Sequence, residues 1–144
     1  MYEKNVIQFI VMTIVGMAFN PMNMLANSIS DIFLSLTLFY GGLLMASNMM
    51  WAHEIIHYLA MGHFNSTIFF LGITMSLIMT LVLRNQLFVG GDQWLKRMIG
   101  HHSTAITTTK KLLVGMKNPR LFNLAKGIVY NQKVEILFMK SLLK

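Results

Sequence analysis

The stretch "HEIIH" has the residue types and the spacing of a zinc site. His53 and His57 stand four residues apart with Glu54 beside them, as in the helix of a zinc protease, where the glutamate activates the metal-bound water. His63 stands where one class of these enzymes has its third ligand, but that class needs a glycine at position 60 to turn the chain. Position 60 is alanine, and 144 residues leave no room for a substrate-binding lobe. A membrane metalloprotease is therefore the least favoured of the three functions that we consider.

The same stretch is also suited to a softer metal, because methionines surround its histidines. Imidazole together with thioether favours copper, and Cu(I) above all. The Glu-x-x-His spacing matches half of a di-iron motif as well, but five acidic residues in the whole chain are too few for such a site. The simpler interpretation is an interfacial helix end whose polar residues meet water and lipid headgroups. The candidate ligands of this second metal cluster are Met49, His53, Glu54, His57, Met61 and His63.

A second motif, "MIGHHS", places a methionine beside paired histidines. Met98, His101 and His102 are spaced so that the methionine can share a helix face with either histidine. Glu135 and Met139 share one face of a later helix, and an antiparallel turn would bring Glu135 level with Met98 and His101. Thioether and imidazole on one seam suit copper, and the carboxylate also admits harder ions such as zinc. The alternative is a pair of histidines at a polar edge beside ordinary core methionines.

The composition excludes thiol chemistry and favours a membrane protein. The chain has no cysteine, so it can form no disulfide, no thiolate-bound zinc site and no cysteine nucleophile. Hydrophobic residues make up 55% of the chain and the mean hydropathy is +0.57, which is high for a soluble domain. Fourteen residues are methionine, which fills irregular apolar space and also binds soft metals.

Charge is divided sharply along the chain. Up to Leu83 the only basic residue is Lys4, whereas eleven lysines and arginines follow from Arg84 onward. The positive-inside rule therefore puts the C-terminal part in the cytoplasm and the N-terminus outside. The basic part could also dock on anionic lipid, a protein partner or nucleic acid. A solvated basic face is the simpler explanation, and we do not expect nucleic acid to bind.

Long uncharged runs predict an all-α, multi-pass integral membrane protein. The runs before Arg84 are long enough to cross a bilayer core three times. Glycines and an Asn-Pro pair divide the remainder into an antiparallel helical hairpin. Two helices alone bury too little surface, so the hairpin must pack on the membrane part or on other copies of the chain, which predicts a homo-oligomer. The predicted helices are about 5–26, 31–61 and 66–88 in a transmembrane domain of residues 1–89, and about 92–114 and 119–143 in a hairpin of residues 90–144.

Residues 81–143 resemble the domain-of-unknown-function 305 family, a ferritin-like helical family, and specifically its membrane-anchored branch with three N-terminal hydrophobic helices. Two departures stand out: Gly100 replaces the family's proline before the paired histidines, and residues 107–109 are threonines where soluble members often have a methionine. The motifs that carry the resemblance are Arg84-x-Gln86, the run from Trp94 to Ile106, Asn118-Pro119 and the run from Gln132 to Met139.

This resemblance implies binding of copper or silver through the histidines and methionines of these motifs. It assigns metal-handling roles to Met98, His101, His102, Glu135 and Met139. Together with the residue patterns, it predicts a membrane-anchored, copper-type metal-binding protein for metal tolerance, storage or delivery, without catalytic residues. The alternative is a structural membrane protein whose basic hairpin docks on a partner, on lipid or on nucleic acid.

Overall fold

The structure, a computed structural model, describes residues 2–143, and all regular structure within that range is helical. The predicted all-α class is confirmed. Five long helices are joined by short connections, one of which contains a four-residue helix and a turn of 3₁₀ helix. The elements are α1 (Tyr2–Ala18), α2 (Pro21–Met24), the 3₁₀ turn (Ile29–Asp31), α3 (Leu36–Met61), α4 (Ser66–Arg84), α5 (Gly91–Leu113) and α6 (Pro119–Leu142).

The first two helices differ from the predicted bounds because side chains in the connection cap other elements. The predicted first helix, residues 5–26, ends at Ala18, since the Asn20 side chain accepts a hydrogen bond from the Asn23 backbone N at 3.0 Å and starts α2. The second begins at Leu36 rather than at residue 31. Ser28 caps the 3₁₀ turn, and the backbone is extended where that turn ends.

One of two compact units consists of α1, α3 and α4, and α3 contacts both of the others. Glycines allow the close approach between these helices. A Cβ atom on Gly42 would lie 2.7 Å from Met17 Cγ and 2.8 Å from the Thr13 carbonyl oxygen, and one on Gly72 would lie 3.0 Å from the Trp51 backbone N. Small residues that let backbones approach closely are typical of helix packing in membranes.

This three-helix unit buries hydroxyl side chains beside Leu38 and Ala46, and many of its large apolar side chains are exposed. Thr13, Ser47 and Ser76 are buried, and each hydroxyl donates to the carbonyl four residues earlier in its own helix. Such a distribution is the reverse of that in a water-soluble bundle. The exposed apolar side chains of α1 and α4 include Val6, Ile7, Ile10, Val11, Ile14, Phe70, Leu71, Leu77, Ile78 and Leu81.

Two segments within the described range are long and apolar enough to cross a membrane by length and composition, Glu3–Met24 and Ser66–Arg84. The sequence predicted three, so the second span, residues 31–61, is not among the candidates. Its N-terminal residues are not helical, and its helix has glycines, Ser47 and Asn48 where a typical span has large apolar residues.

The other compact unit combines the α5–α6 hairpin with the connection Asn20–Ser35. Its core consists of Ile99, Ile106, Ile136 and Met139, all less than a tenth exposed, and Phe33 from the connection packs against them. The sequence predicts residues 20–35 as part of the transmembrane domain. In the structure their contacts are with α5 and α6, so this connection supplies apolar surface that two helices alone lack.

A buried polar cluster also fastens the connection to the hairpin. The Ser103 hydroxyl donates to Asp31 Oδ2 at 2.6 Å and accepts from the Asn27 backbone N at 2.8 Å. Asp31, which is 4% exposed, also pairs with Lys140 Nζ at 2.6 Å. We call Asn27, Asp31, Ser103 and Lys140 the polar clasp. A buried carboxylate is stable only with partners of this kind.

Candidate functional site

The seam between α5 and α6 brings together four of the five predicted metal ligands. Met98 and His102 lie one turn apart on α5, and Glu135 and Met139 lie one turn apart on α6. His102 Nδ1 is 2.9 Å from Glu135 Oε2. Met98 packs against the core cluster that contains Met139. The hairpin therefore pairs an imidazole with a carboxylate, and it places one thioether in its core and a second against that core.

His102 is the most enclosed polar member of this seam. Its side chain is 14% exposed, whereas that of Glu135 is 53% exposed. The two groups are as close as an ion pair, but the angle is not that of a hydrogen bond. Among side chains of the described residues, His102 Nδ1 and Gln132 Oε1 are the buried polar atoms without a hydrogen-bond partner. Such atoms are uncommon in folded proteins and indicate a place where a ligand can bind.

His101 lies outside this arrangement. It is exposed, and its ring meets that of His102 edge to face with the centroids 6.0 Å apart. The structure thus places one histidine of the pair in the seam and the other at its exposed edge. Successive helix residues point in directions about 100° apart, so only one of two adjacent histidines can face α6 directly.

Met22, on the connection, brings another thioether close to α5. Its sulfur contacts the Arg97 guanidinium, and its Sδ would lie 3.7 Å from a Cβ on Gly100. Burial lowers the pKa of Arg97 from its usual value. Because the Arg97 guanidinium already contacts the Met22 sulfur, we do not count Met22 among the soft ligands of the seam.

The donor chemistry of the seam is that of a soft ion. Across residues 2–143, no three side chains from histidine, aspartate and glutamate are grouped so that they could hold a metal. Zinc and iron sites usually require three or more such donors. The seam offers at most one imidazole and one carboxylate directly, and its remaining donors are thioethers, which suit Cu(I).

The glutamate of "HEIIH" has a structural partner. Glu54 is buried, and its Oε2 accepts a hydrogen bond from the Asn65 backbone N at 3.0 Å. Asn65 in turn caps α4 through its side chain. Glu54 therefore ties the end of α3 to the start of α4, and His53 Nδ1 approaches its other oxygen only to 3.9 Å. A protease would need this carboxylate beside a metal-bound water.

The three histidines near this turn lie next to one another. The ring centroids of His53 and His57 are 5.7 Å apart, and those of His57 and His63 are 5.6 Å apart. His57 Nδ1 lies 3.3 Å from the His63 carbonyl oxygen. The predicted second cluster thus has its imidazoles together, while Glu54 belongs to the helix turn.

Sequence reasoning missed the polar clasp. Ser103 follows the paired histidines directly, so its place in the motif was visible, but nothing nearby in the sequence indicated its partners. Asp31 lies 72 residues before Ser103 and Lys140 lies 109 residues after Asp31. Only the packing of the connection on the hairpin brings them together.

Comparison with known proteins identifies relatives of unestablished function. The family described as "Domain of unknown function (DUF305)" matches residues 89–143, which contain α5 and α6. A protein of Acanthamoeba polyphaga mimivirus, "Uncharacterized protein L153", is 36% identical over 145 residues, which cover 99% of this chain and 93% of that protein. No solved structure matches the chain. With a matching family domain in its C-terminal hairpin and this relative along almost its whole length, the chain belongs to the domain-of-unknown-function 305 family.

Proposed function

We propose that this protein is a membrane-anchored binder of soft metal ions, of the copper and silver class, that serves metal tolerance, storage or delivery. The observation that carries the proposal is the α5–α6 seam, where a largely buried imidazole without a hydrogen-bond partner shares the hairpin with Met139 of the core and with Met98, which packs on that core. Imidazole and thioether are the donors that a Cu(I) or Ag(I) ion prefers.

Met98, His102 and Met139 are the proposed ligands. Glu135, which faces His102, acts as a weaker ligand or as the partner that orients the imidazole. His101 at the exposed edge is placed to receive an ion from solvent and pass it to the seam. The family resemblance described in the sequence implies metal-handling roles for the same five residues.

Membrane anchoring rests on the three-helix unit and on a topological argument. The connection Asn20–Ser35 bonds to α5 and α6, so it must lie on the same side of a bilayer as the hairpin. The chain between them must then cross the bilayer an even number of times. If α4 crosses, α3 must cross as well, although its composition alone is not that of a typical span. The large apolar side chains exposed on α1 and α4 suit contact with lipid. They support a chain that crosses the bilayer three times, as in the membrane-anchored branch of the family.

A homo-oligomer accounts for the exposed apolar face of α6. Leu124, Leu137 and Phe138 are each at least 60% exposed, and such a face is typical of a protein interface. Packing of two hairpins through α6 would form a four-helix, ferritin-like bundle. The alternative, a structural role, is favoured by the exposed lysines of α5 and α6, such as Lys111 and Lys126, which could meet an anionic surface.

The test is a metal titration of the full-length protein in detergent micelles with Ag(I), Cu(I) and Zn(II). We expect His102→Ala and the Met98→Leu/Met139→Leu pair each to weaken Ag(I) binding at least about 10-fold, the usual scale for lost metal contacts. Met116→Leu, in the turn between α5 and α6, is the matched control and should bind as the parent does. Unchanged Ag(I) affinity in both seam variants contradicts the proposal and leaves the structural role.

A further inference from the structure

Helix α3 has a row of soft-metal donors at four-residue spacing. The row consists of Met45, Met49, His53, His57 and Met61. Residues four apart are neighbours on a helix surface, and each step rises about 6 Å while turning about 40° round the axis. The row therefore winds slowly along the C-terminal two-thirds of α3, with thioethers at its start and imidazoles nearer the helix end. We call it the α3 row.

Much of the α3 row is exposed. α3 turns Gly42, Ala46 and Ser47 inward, and these are buried. Met45 is 46% exposed, Met49 is 39% exposed and the His53 side chain is 51% exposed. The Met45 sulfur nevertheless lies close to α1, 3.0 Å from where a Cβ on Gly16 would stand. Met49 and His53 are therefore the accessible donors at the centre of the row.

The spacing of the imidazoles is that of rings that share one ion. A metal about 2.0 Å from an imidazole nitrogen lies about 3.2 Å from the ring centroid, so two rings on one ion have centroids about 5–6.4 Å apart. The His53–His57 distance of 5.7 Å and the His57–His63 distance of 5.6 Å both fall in this range. The same range includes ordinary ring contacts, such as that of His101 with His102 at 6.0 Å, so it is the four-residue spacing of His53 and His57 on one helix that favours a shared ion.

His57 has in addition the hydrogen-bond partner typical of a metal ligand. Metal-bound histidines usually donate their second ring nitrogen to a carboxylate or a backbone carbonyl, which fixes the tautomer. The His57 Nδ1 lies 3.3 Å from the His63 carbonyl oxygen. A proton held on Nδ1 leaves the lone pair of Nε2 free for an ion.

We propose that Met49, His53 and His57 form a second binding site for a soft monovalent ion, Cu(I) or Ag(I), and that Met45 extends this site toward the middle of α3. Adjacent donors of the row, Met49 with His53 or His53 with His57, lie one helix turn apart and supply a two-coordinate shell for such an ion, and Glu54 is not part of it. Neighbouring donors along the row let an ion pass from one pair to the next without leaving soft ligands. The site extends the proposed soft-metal function but uses no residue of the α5–α6 seam, so either site can fail alone.

The experiment counts the Ag(I) ions bound by the full-length protein in detergent micelles. The row variant is Met49→Leu/His53→Gln/His57→Gln, and the seam variant is Met98→Leu/His102→Ala. Met50→Leu is the matched control, since Met50 follows Met49 on α3 but lines a different surface, beside Phe9 and Leu71. We expect the row variant to bind one ion fewer than the parent, the combined variant to bind two fewer, and Met50→Leu to bind as many as the parent.

A row variant that binds as many ions as the parent, with the same affinity, overturns the second site. An unchanged seam variant beside a depleted row variant would overturn the proposed function at the seam and leave the α3 row. X-ray absorption of silver in the seam variant gives a readout that does not depend on folding of the row variant. Nitrogen and sulfur neighbours support the site, whereas an oxygen-only shell, or a preference for Zn(II) over Ag(I), contradicts it.

Discussion

Ser103 shows how one hydroxyl can connect two distant segments. Its side chain is fully buried, and it donates to Asp31 while it accepts from the Asn27 backbone N. The Asp31 carboxylate is thereby left with two partners, the hydroxyl and the Lys140 ammonium. Without either partner a charge would remain buried and incompletely paired, which is a costly state.

We therefore expect Ser103→Ala to lower the free energy of unfolding of the full chain by about 1–3 kcal/mol, because both the Asp31 carboxylate and the Asn27 N–H lose a hydrogen bond. The measurement is denaturant unfolding in detergent, followed by circular dichroism. Ser141→Ala is the matched control, since this exposed hydroxyl bonds only to the Phe138 carbonyl of its own helix. Equal stability of the two variants would show that the polar clasp contributes nothing.

The metal ligands proposed at the seam were predictable at this scale, since Met98 and His102 are four residues apart on one helix. That His101 stays outside was not predictable, because spacing allows either histidine to share a face with Met98. The orientation of α5 decides between them. Asn20–Ser35 covers the side of α5 with Ile99, Ser103 and Ile106, and this leaves His102 facing α6.

At the scale of the helices, the segment Asn20–Ser35 explains which helix bounds and which helix faces were predictable from the sequence. The bounds of α4, α5 and α6 lie within a few residues of the predicted ones, because Asn65 and Asn118 are strong N-caps and Gly115 follows the end of α5. The helical period of α5 puts Trp94 and Leu112 on one stripe with Met98 and His102, yet Trp94 and Leu112 are 51% and 66% exposed. A pattern read against α6 alone could not include a third packing partner from residues 20–35.

Gly42 is the residue on which the packing of α1 against α3 depends. We expect Gly42→Ala to lower the thermal unfolding midpoint in detergent, since its Cβ would lie 2.7 Å from Met17 Cγ and 2.8 Å from the Thr13 carbonyl oxygen. Overpacking of this kind costs about 1–3 kcal/mol. Gly41→Ala is an ideal control on the same helix, because its Cβ would meet no atom within 4 Å. Equal thermal unfolding midpoints for Gly42→Ala and Gly41→Ala would contradict this role of Gly42.

At the scale of the whole molecule, the bonds between Asn20–Ser35 and the hairpin support the proposed three-crossing topology. We expect Ile29→Cys and Val114→Cys, both highly exposed, to lie on one side of the membrane and Leu59→Cys, at the end of α3, to lie on the other. The chain has no cysteine of its own, so each variant carries a single reactive thiol.

The side of the membrane on which each cysteine lies is measured with a membrane-impermeant maleimide, applied to intact and then to permeabilised cells. By the positive-inside rule, Leu59→Cys should react in intact cells, and the other two only after permeabilisation. Labelling of Ile29→Cys and Val114→Cys from opposite sides would mean that α4 crosses the bilayer without α3. Such a result would contradict the three-crossing topology.

The polar clasp also has a consequence for how the protein is made. Asp31 leaves the ribosome long before Ser103, and Lys140 is among the last residues of the α6 helix to be synthesised. Until both have emerged, an aspartate that is buried in the finished fold has to stay hydrated next to segments that enter the bilayer in the proposed topology. Closure of the C-terminal unit is thus expected to follow insertion of the N-terminal helices, and a ribosome-bound chain arrested before residue 140 should keep Ile29 open to proteolysis.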